Sequence, residues 1–298
     1  MSAPPAVGHP RGDIVLVPTI QAVTWNVARQ RAPVLDALVR IAPPDLATLQ
    51  EVTIDAQDEF RERLVATGLK HIHYSGRTDV PSKHYGNIIA SRWPLDAVQL
   101  QYSREELPWP QLLAQVTMTV NGQSIVVITA HIPNGSNNGW EKIDTFQVLA
   151  KLVRQAKGRL CIVTGDLNEP QFTMQDGHVV TWGQEQDGEG RFACWDEWEF
   201  RGRTGTGARW DAAVRRLFEN NNDHGLRHAY WEAHGHGAMD VSHSSRGKPR
   251  WFDHMFVSTD FRVESCVYLH ALRAPGLSDH SALTARLVFN GLSADLRP

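Results

Sequence analysis

The chain has 298 residues, with 30 Lys and Arg against 33 Asp and Glu and a formal net charge of -3. That length allows a sizeable core, and the charge balance excludes a strongly basic polypeptide, so a polyanionic substrate must be met by local positive charge or by a metal. The three cysteines, Cys161, Cys194 and Cys266, are odd in number and form no CxxC pair, which argues against a disulfide framework or a cysteine-built zinc site and fits a reducing cytoplasm.

Residues 1–12 open a segment, MSAPPAVGHPRGDIVLVP, with prolines and a glycine where a signal peptide would carry its apolar run. They read as a flexible N-terminus ahead of a single domain over 13–298. No apolar stretch is long enough to span a bilayer, so no membrane partner is expected, and no obligate protein partner is evident. In chain order, IQAVTW, DLATLQ, NIIAS, LAQVTMTV, SIVVITA, LCIVT, HMFVS, VESCVYL and ALTARLVF are β-branched runs that read as strands. Asn121-Gly122, between LAQVTMTV and SIVVITA, suits a type I′ turn and predicts a hairpin.

Helical spacing predicts a first helix in APVLDALVRIA, stopped by Pro43 and Pro44, and a second in EKIDTFQVLAKLVRQAK, where Ile143, Phe146, Leu149 and Val153 share a face. A third falls in ARWDAAVRRLFEN. Asp187 to Gly207, rich in glycine and mixed charge, reads as a long surface loop. Strands mixed with helices, with at least one hairpin, suggest an α/β architecture with much antiparallel sheet and helices outside two packed sheets.

The apolar runs end in polar groups. QAVTWN ends in Asn26, DLATLQE in Glu51, SIVVITAH in His131, and LCIVTGDLN in Asp166 and Asn168; Asp253 opens DHMFVS, and Asp279-His280 precede ALTARLVF. Each alone has an ordinary reading as a turn, a solvent-facing strand end or a structural histidine. Strands lying side by side would gather all of them on one rim over a rigid core. Oxygen-rich donors without thiolates suit a hard divalent cation such as Mg²⁺, which keeps waters for a substrate phosphate.

In that order, TWNVA, LQEV, HIPNGSNNGW, TGDLNEPQ, RWFDHMFVS and LSDHSAL resemble the endonuclease/exonuclease/phosphatase superfamily, from about Gln21 to Phe289. The PNG…W…F loop and the RG…RWFDHMFVS run look most like its exonuclease III-type nucleases. The resemblance implies a DNase I-like α/β fold: a four-layer sandwich of two mainly antiparallel sheets packed face to face with helices outside. It also implies Mg²⁺-dependent cleavage of phosphodiesters, with Mn²⁺ as a substitute and DNA as substrate, as in DNA repair.

Carried over residue by residue, the resemblance makes Glu51 the principal metal ligand, with Asn26 and Asp279 near the metal directly or through water. Asp166 would orient or deprotonate the attacking water, Asn168 would hold that water or the phosphate, and His280 with Asp253 would form a polarised imidazole pair. His131 would help the leaving oxygen depart, and Asn134 would touch the phosphate. Lys83, His84 and Tyr85, in SKHYGN, occupy a position that can face nucleic acid.

The chain departs from the exonuclease III pattern just before the RG run, where a tryptophan-containing segment usually helps form a pocket for an abasic sugar. Here Asp240 to Gly247 read DVSHSSRG, and Trp231 and Trp251 read as core. The histidine-rich tract with His224, His228, His234, His236 and His243 is irregularly spaced among glycines and reads as a solvated loop rather than a zinc site. The alternative function is a phosphoesterase for a small-molecule or lipid phosphate, such as an inositol phosphate or sphingomyelin. Against it stand His254 directly after Asp253, with no Cys-Asp-Arg pattern, and the lack of an apolar membrane-inserting hairpin. A non-catalytic binding module would have no use for competent chemistry at each of these positions.

Overall fold

The computed structural model describes residues 18–77, 84–219, 223–245 and 247–289. The expected flexible segment 1–12 and Lys83 lie outside these residues. The first strands are β1 (Thr19–Asn26), β2 (Leu46–Thr53), β3 (His71–Tyr74) and β4 (Tyr85–Ser91). They join the strands Phe261–Leu269 and Ala282–Phe289 in one six-stranded sheet. A second sheet of six contains β5 (Leu95–Ala97), β6 (Leu113–Val120), β7 (Gln123–His131) and β8 (Leu160–Asp166), continued by Asp253–Ser258 and Leu226–His228.

Each sheet is mixed, with one parallel pair and antiparallel neighbours elsewhere. β1 runs parallel to β2 in the first sheet, and β7 runs parallel to β8 in the second. Parallel strands present their C-terminal ends together, so each sheet delivers two strand ends to the same edge. The β6–β7 hairpin closes as expected: Val120 faces Gln123, and Asn121 and Gly122 take φ values of 48° and 80°.

Strand alternation sets the layers. Val23, Trp25, Ala47, Leu49 and Ile88 point out of the first sheet, where they pack with Leu35 and Leu38 of α1 (Val34–Ile41) and Phe60 and Leu64 of α2 (Gln57–Ala66). Ile20, Ala22, Leu46 and Ile89 face the other way, into a larger core shared with the second sheet. That core also takes Ile143, Phe146 and Leu149 of α4 (Trp140–Gln155) and Val214 and Leu217 of α5 (Gly207–Phe218). Before α4 comes one turn, α3 (Gly135–Asn138), capped by the Asn134 side chain; Ala229–His234 forms α6. No helix among the described residues is long and apolar enough to cross a membrane.

Between the sheets, near the edge where the strand ends meet, the core turns polar. Thr48 and Thr164 hydroxyls lie 2.8 Å apart, and Gln50 Nε2 donates to Thr129 Oγ1 at 3.0 Å. These buried bonds link β2 to β7 and β8, and they fix the register of one sheet on the other. Mutual satisfaction removes the penalty of burying the groups.

Three expectations change. Helix α2 has no counterpart among the apolar patterns, because QDEFRERLVA buries only Phe60 and Leu64. The stretch from Asp187 to Gly207 is not an irregular loop. Phe192–Cys194 pairs with Gln184–Gln186, and Trp198–Phe200 pairs with Arg203–Gly205. These ribbons bring Trp195 and Trp198 onto Trp140 and Trp210, every pair of the four within 6.3 Å between ring centroids. Aromatic burial therefore orders a segment whose glycines and charges suggested none. The histidine tract is solvated only in part: His234 and His236 are exposed, but His224 and His228 are buried, and His228 Nε2 lies 3.0 Å from His254 Nδ1.

Candidate active site

The strand ends converge as two parallel pairs and their antiparallel neighbours dictate. His131 at the end of β7 pairs with Asp166 at the end of β8, and Asp253 lies opposite Asp166 on the next strand. Asn26, at the end of β1, crosses to the other sheet: its Nδ2 donates to Asp166 Oδ2 at 2.9 Å and to Glu51 Oε1 at 3.3 Å. Gly165 permits this closeness, because a Cβ there would overlap the carbonyl oxygen of Ala130.

Backbone strain gathers at the same place. Of the six non-glycine residues with positive φ among those described, Asn121 and Arg201 serve hairpin turns, and the other four sit at this edge. Ala28 (49°) and Arg29 (59°) follow Asn26, Glu51 (58°) occupies an irregularity of the β2–β4 register between Leu49 and Val52, and Asn168 (50°) follows Asp166. A bulge re-aims a strand side chain, and here it turns Glu51 toward the cavity.

Electrostatics divides the site into a cation and the carboxylates that hold it. His280 Nδ1 is 2.8 Å from Asp253 Oδ2, and its Nε2 lies 3.7 Å from Asp166 Oδ2. Burial opposes a charge on this ring, but Asp253, Asp166 and Asp279 outweigh it and lift the imidazole to about 10. Burial likewise opposes the Asp166 charge. His280, His131, the Asn26 amide and the Asn168 N–H nevertheless hold it below the usual carboxylate value. Asp279, half in solvent, is lowered chiefly by the hydrogen bond of His243. Burial raises Asp253 while His280 pulls it back.

The resulting cavity, of about 700 Å³, is lined by Glu51, His84, Tyr85, His131, Asn134, Asp166, Asn168, Asp279 and His280. Asp253 stands behind His280, and Asn26 beneath Glu51 and Asp166. The Asn26 amide oxygen accepts from Ala28 N at 2.9 Å while its NH₂ serves the two carboxylates. In this arrangement Asn26 orients the acidic groups at the cavity floor. Asn168 Nδ2 donates to Ile132 O at 3.0 Å, which fixes that side chain on the cavity wall.

Among the lining residues with no signal in the strand-end pattern are Arg29, Trp109 and His243. Arg29 Nε pairs with Glu51 Oε2 at 2.9 Å. His243, in the DVSHSSRG segment, stacks against Phe252, lies 4.3 Å from the His280 ring centroid and pairs with Asp279 at 3.4 Å. It stands at the wall that lacks the expected tryptophan, while Trp231 and Trp251 are buried in the core.

Beneath the cavity lies a second ionic group. Lys142, 1% exposed, pairs with Glu169 at 3.1 Å and donates from Nζ to the Asn168 carbonyl at 2.6 Å. Glu169 also accepts from Trp210 Nε1 at 2.7 Å and from Trp182 N at 3.2 Å. Burial lowers Lys142 and raises Glu169, each partly offset by the other. The helix α4 thereby clamps the backbone of Asn168 in its left-handed conformation.

Donor chemistry fits a divalent cation. Two trios among the described residues keep their donor atoms within 4.8 Å, His243–Asp279–His280 and Asp166–Asp253–His280. Glu51 belongs to neither; it faces Asn26, Arg29 and His131. The donors are carboxylates and imidazoles with no thiolate, a set that accepts hard or borderline cations.

Residues 23–280 match the profile of the Endonuclease/Exonuclease/phosphatase family. No curated protein matches the chain. Among solved structures, the fold is similar to the 3′ phosphatase NExo from Neisseria bound to a product DNA hairpin, at 24% identity and a TM-score of 0.61, over 89% of this chain and 98% of that one. An AP endonuclease from Archaeoglobus fulgidus gives 17% and 0.62 over the same shares. D. rerio TDP2 complexed with a single-strand DNA product gives 14% and 0.60, over 90% and 98%.

Proposed function

Because the chain belongs to the Endonuclease/Exonuclease/phosphatase family, we propose that it is a Mg²⁺-dependent nuclease that cleaves DNA phosphodiesters, exonuclease III-like in the loops around its site. The observation that carries this reading is the Asp166 carboxylate at the junction of the two sheets, facing the His280–Asp253 pair across 3.7 Å. A buried carboxylate and a buried imidazolium side by side supply the two charges that phosphoryl transfer needs. DNA as the substrate rests on the DNA products bound to NExo and TDP2. Cytoplasmic location rests on three free thiols, of which Cys161 and Cys266 are buried.

Glu51, Asn26 and Asp279 would hold the cation directly or through water, with Asn26 also keeping Glu51 in place; Mn²⁺ would serve as a substitute. When bound, the cation supplies positive charge to the phosphoryl oxygens as negative charge grows on them. Asp166 accepts the proton of the attacking water, and its depressed basicity is compensated by the fixed distance at which Asn26 and Asn168 N hold it. His280, kept cationic by Asp253, faces the same oxygens. Asn168 positions water or phosphate, Asn134 touches the phosphate, and His131 lies where the departing oxygen leaves. His84, Tyr85 and Lys83 would meet the flanking nucleotides.

A panel of plasmid, single-stranded, abasic and 3′-phosphate-terminated DNA, with Mg²⁺ or EDTA, tests this reading. Mg²⁺-dependent cleavage of at least one DNA is expected. Intact DNA throughout, together with phosphate release from inositol phosphates or phosphocholine release from sphingomyelin, would replace the nuclease by a small-molecule or lipid phosphoesterase.

A further inference from the structure

Both oxygens of Glu51 are engaged by this chain. Oε1 accepts from Asn26 and has His131 Nε2 3.6 Å away, while Oε2 is paired with Arg29 Nε at 2.9 Å. Arg29 reaches Glu51 from a turn in which it and Ala28 both take positive φ without a glycine. Two bonds hold that turn: Ala28 N donates to Asn26 Oδ1, and Gln30 N donates to Val27 O, each at 2.9 Å. The amide that orients Glu51 and Asp166 therefore also fixes the backbone that aims Arg29 at the cavity.

The side chain itself is less committed. Arg29 is 56% exposed against 17% for Glu51, and its guanidinium lies over the Tyr85 ring at 4.7 Å from the centroid. Tyr85 in turn stands 5.5 Å from the His131 ring. An aromatic face offers the guanidinium a resting place that does not require Glu51. Arginine also binds phosphate oxygens through paired N–H groups, which a carboxylate-bound Nε does not preclude once the side chain swings.

Resting on the reading that Glu51 holds the divalent cation, we propose that Arg29 competes with that cation for the Glu51 carboxylate, and that the cation's arrival frees the guanidinium to grip a substrate phosphate at the cavity mouth. Two positive charges cannot share one partly buried carboxylate without strong repulsion. Substrate that captures Arg29 relieves the competition, so cation and substrate each strengthen the other's binding, as linkage requires.

Calorimetric titration of Mn²⁺ into the wild-type chain, Arg29→Ala and Glu51→Gln tests the competition without turnover, with melting curves confirming that each variant is folded. Arg29→Ala is expected to bind Mn²⁺ roughly two- to fivefold more tightly, the range of a partly exposed ion pair, while its KM for DNA rises. Unchanged or weaker Mn²⁺ binding by Arg29→Ala, with Glu51→Gln impaired, overturns the role of Arg29 and leaves Glu51 as the ligand. Equal Mn²⁺ binding by wild type and Glu51→Gln, or none by either, overturns the cation reading at Glu51 and the Arg29 proposal with it.

Discussion

Asp166 and Glu169 are three residues apart and both buried, yet they belong to ionic clusters of opposite character. Glu169 is sealed beneath the cavity, with Lys142, Trp210 and Trp182 N directed at its two oxygens. The Asp166 cluster opens into the cavity instead, where Asp166, His131 and His280 form part of the lining. A closed cluster sets backbone position, as Lys142 does for the Asn168 carbonyl. An open one keeps charge at hand for a ligand. Removing a member of the first should cost stability, and removing a member of the second should cost turnover.

The largest separation is expected at His280. His280→Gln should lower DNA cleavage by about 10²- to 10⁴-fold, the range for losing a charged acid–base group, with a smaller loss of stability than at Lys142, because the glutamine amide can still donate to the buried Asp253. Lys142→Met should do the reverse, leaving the Glu169 carboxylate buried and unpaired at a cost of about 3–5 kcal/mol. Denaturant titration reads that loss directly. A Lys142→Met protein as stable as wild type would erase the distinction between the clusters.

Acid sharpens the comparison further. His254, whose Nε2 lies 2.8 Å from the Glu169 carbonyl oxygen, is pushed from the ordinary 6.5 down to about 4 by burial. A histidine kept neutral in the fold protonates first in the unfolded chain. Its contribution is therefore complete above pH 6.5 and is lost as pH falls from 6.5 toward 4, on the order of 3 kcal/mol. Denaturation midpoints at pH 7.5, 6 and 5 should decline, and His254→Gln should flatten the decline.

The strand ends were legible in sequence because a buried apolar run that stops at a carboxylate or an amide is costly unless the polar group has a purpose. Asn26, Glu51, His131, Asp166, Asp253 and His280 announced their convergence in that way. Arg29 and His243 did not, since their place depends on a left-handed turn after β1 and on a ring stacked against Phe252. Lys142 left a trace: it sits four residues before Phe146, on the apolar stripe of α4, where a lysine needs a buried partner. That partner, Glu169, lies on the far side of β8 in sequence and carries no pattern of its own. The tryptophan ribbons were hidden for a related reason, because four aromatic rings from separate segments order a stretch rich in glycine and charge.

Asp166→Asn, measured for both DNA hydrolysis and melting temperature in Mg²⁺, tests most directly whether the open cluster is a phosphodiester-cleaving site. Cleavage should fall by at least about 10²-fold while the melting temperature stays within a few degrees of wild type. Undiminished cleavage by a pure, folded Asp166→Asn protein would contradict the assignment of Asp166 as the group that takes the water proton.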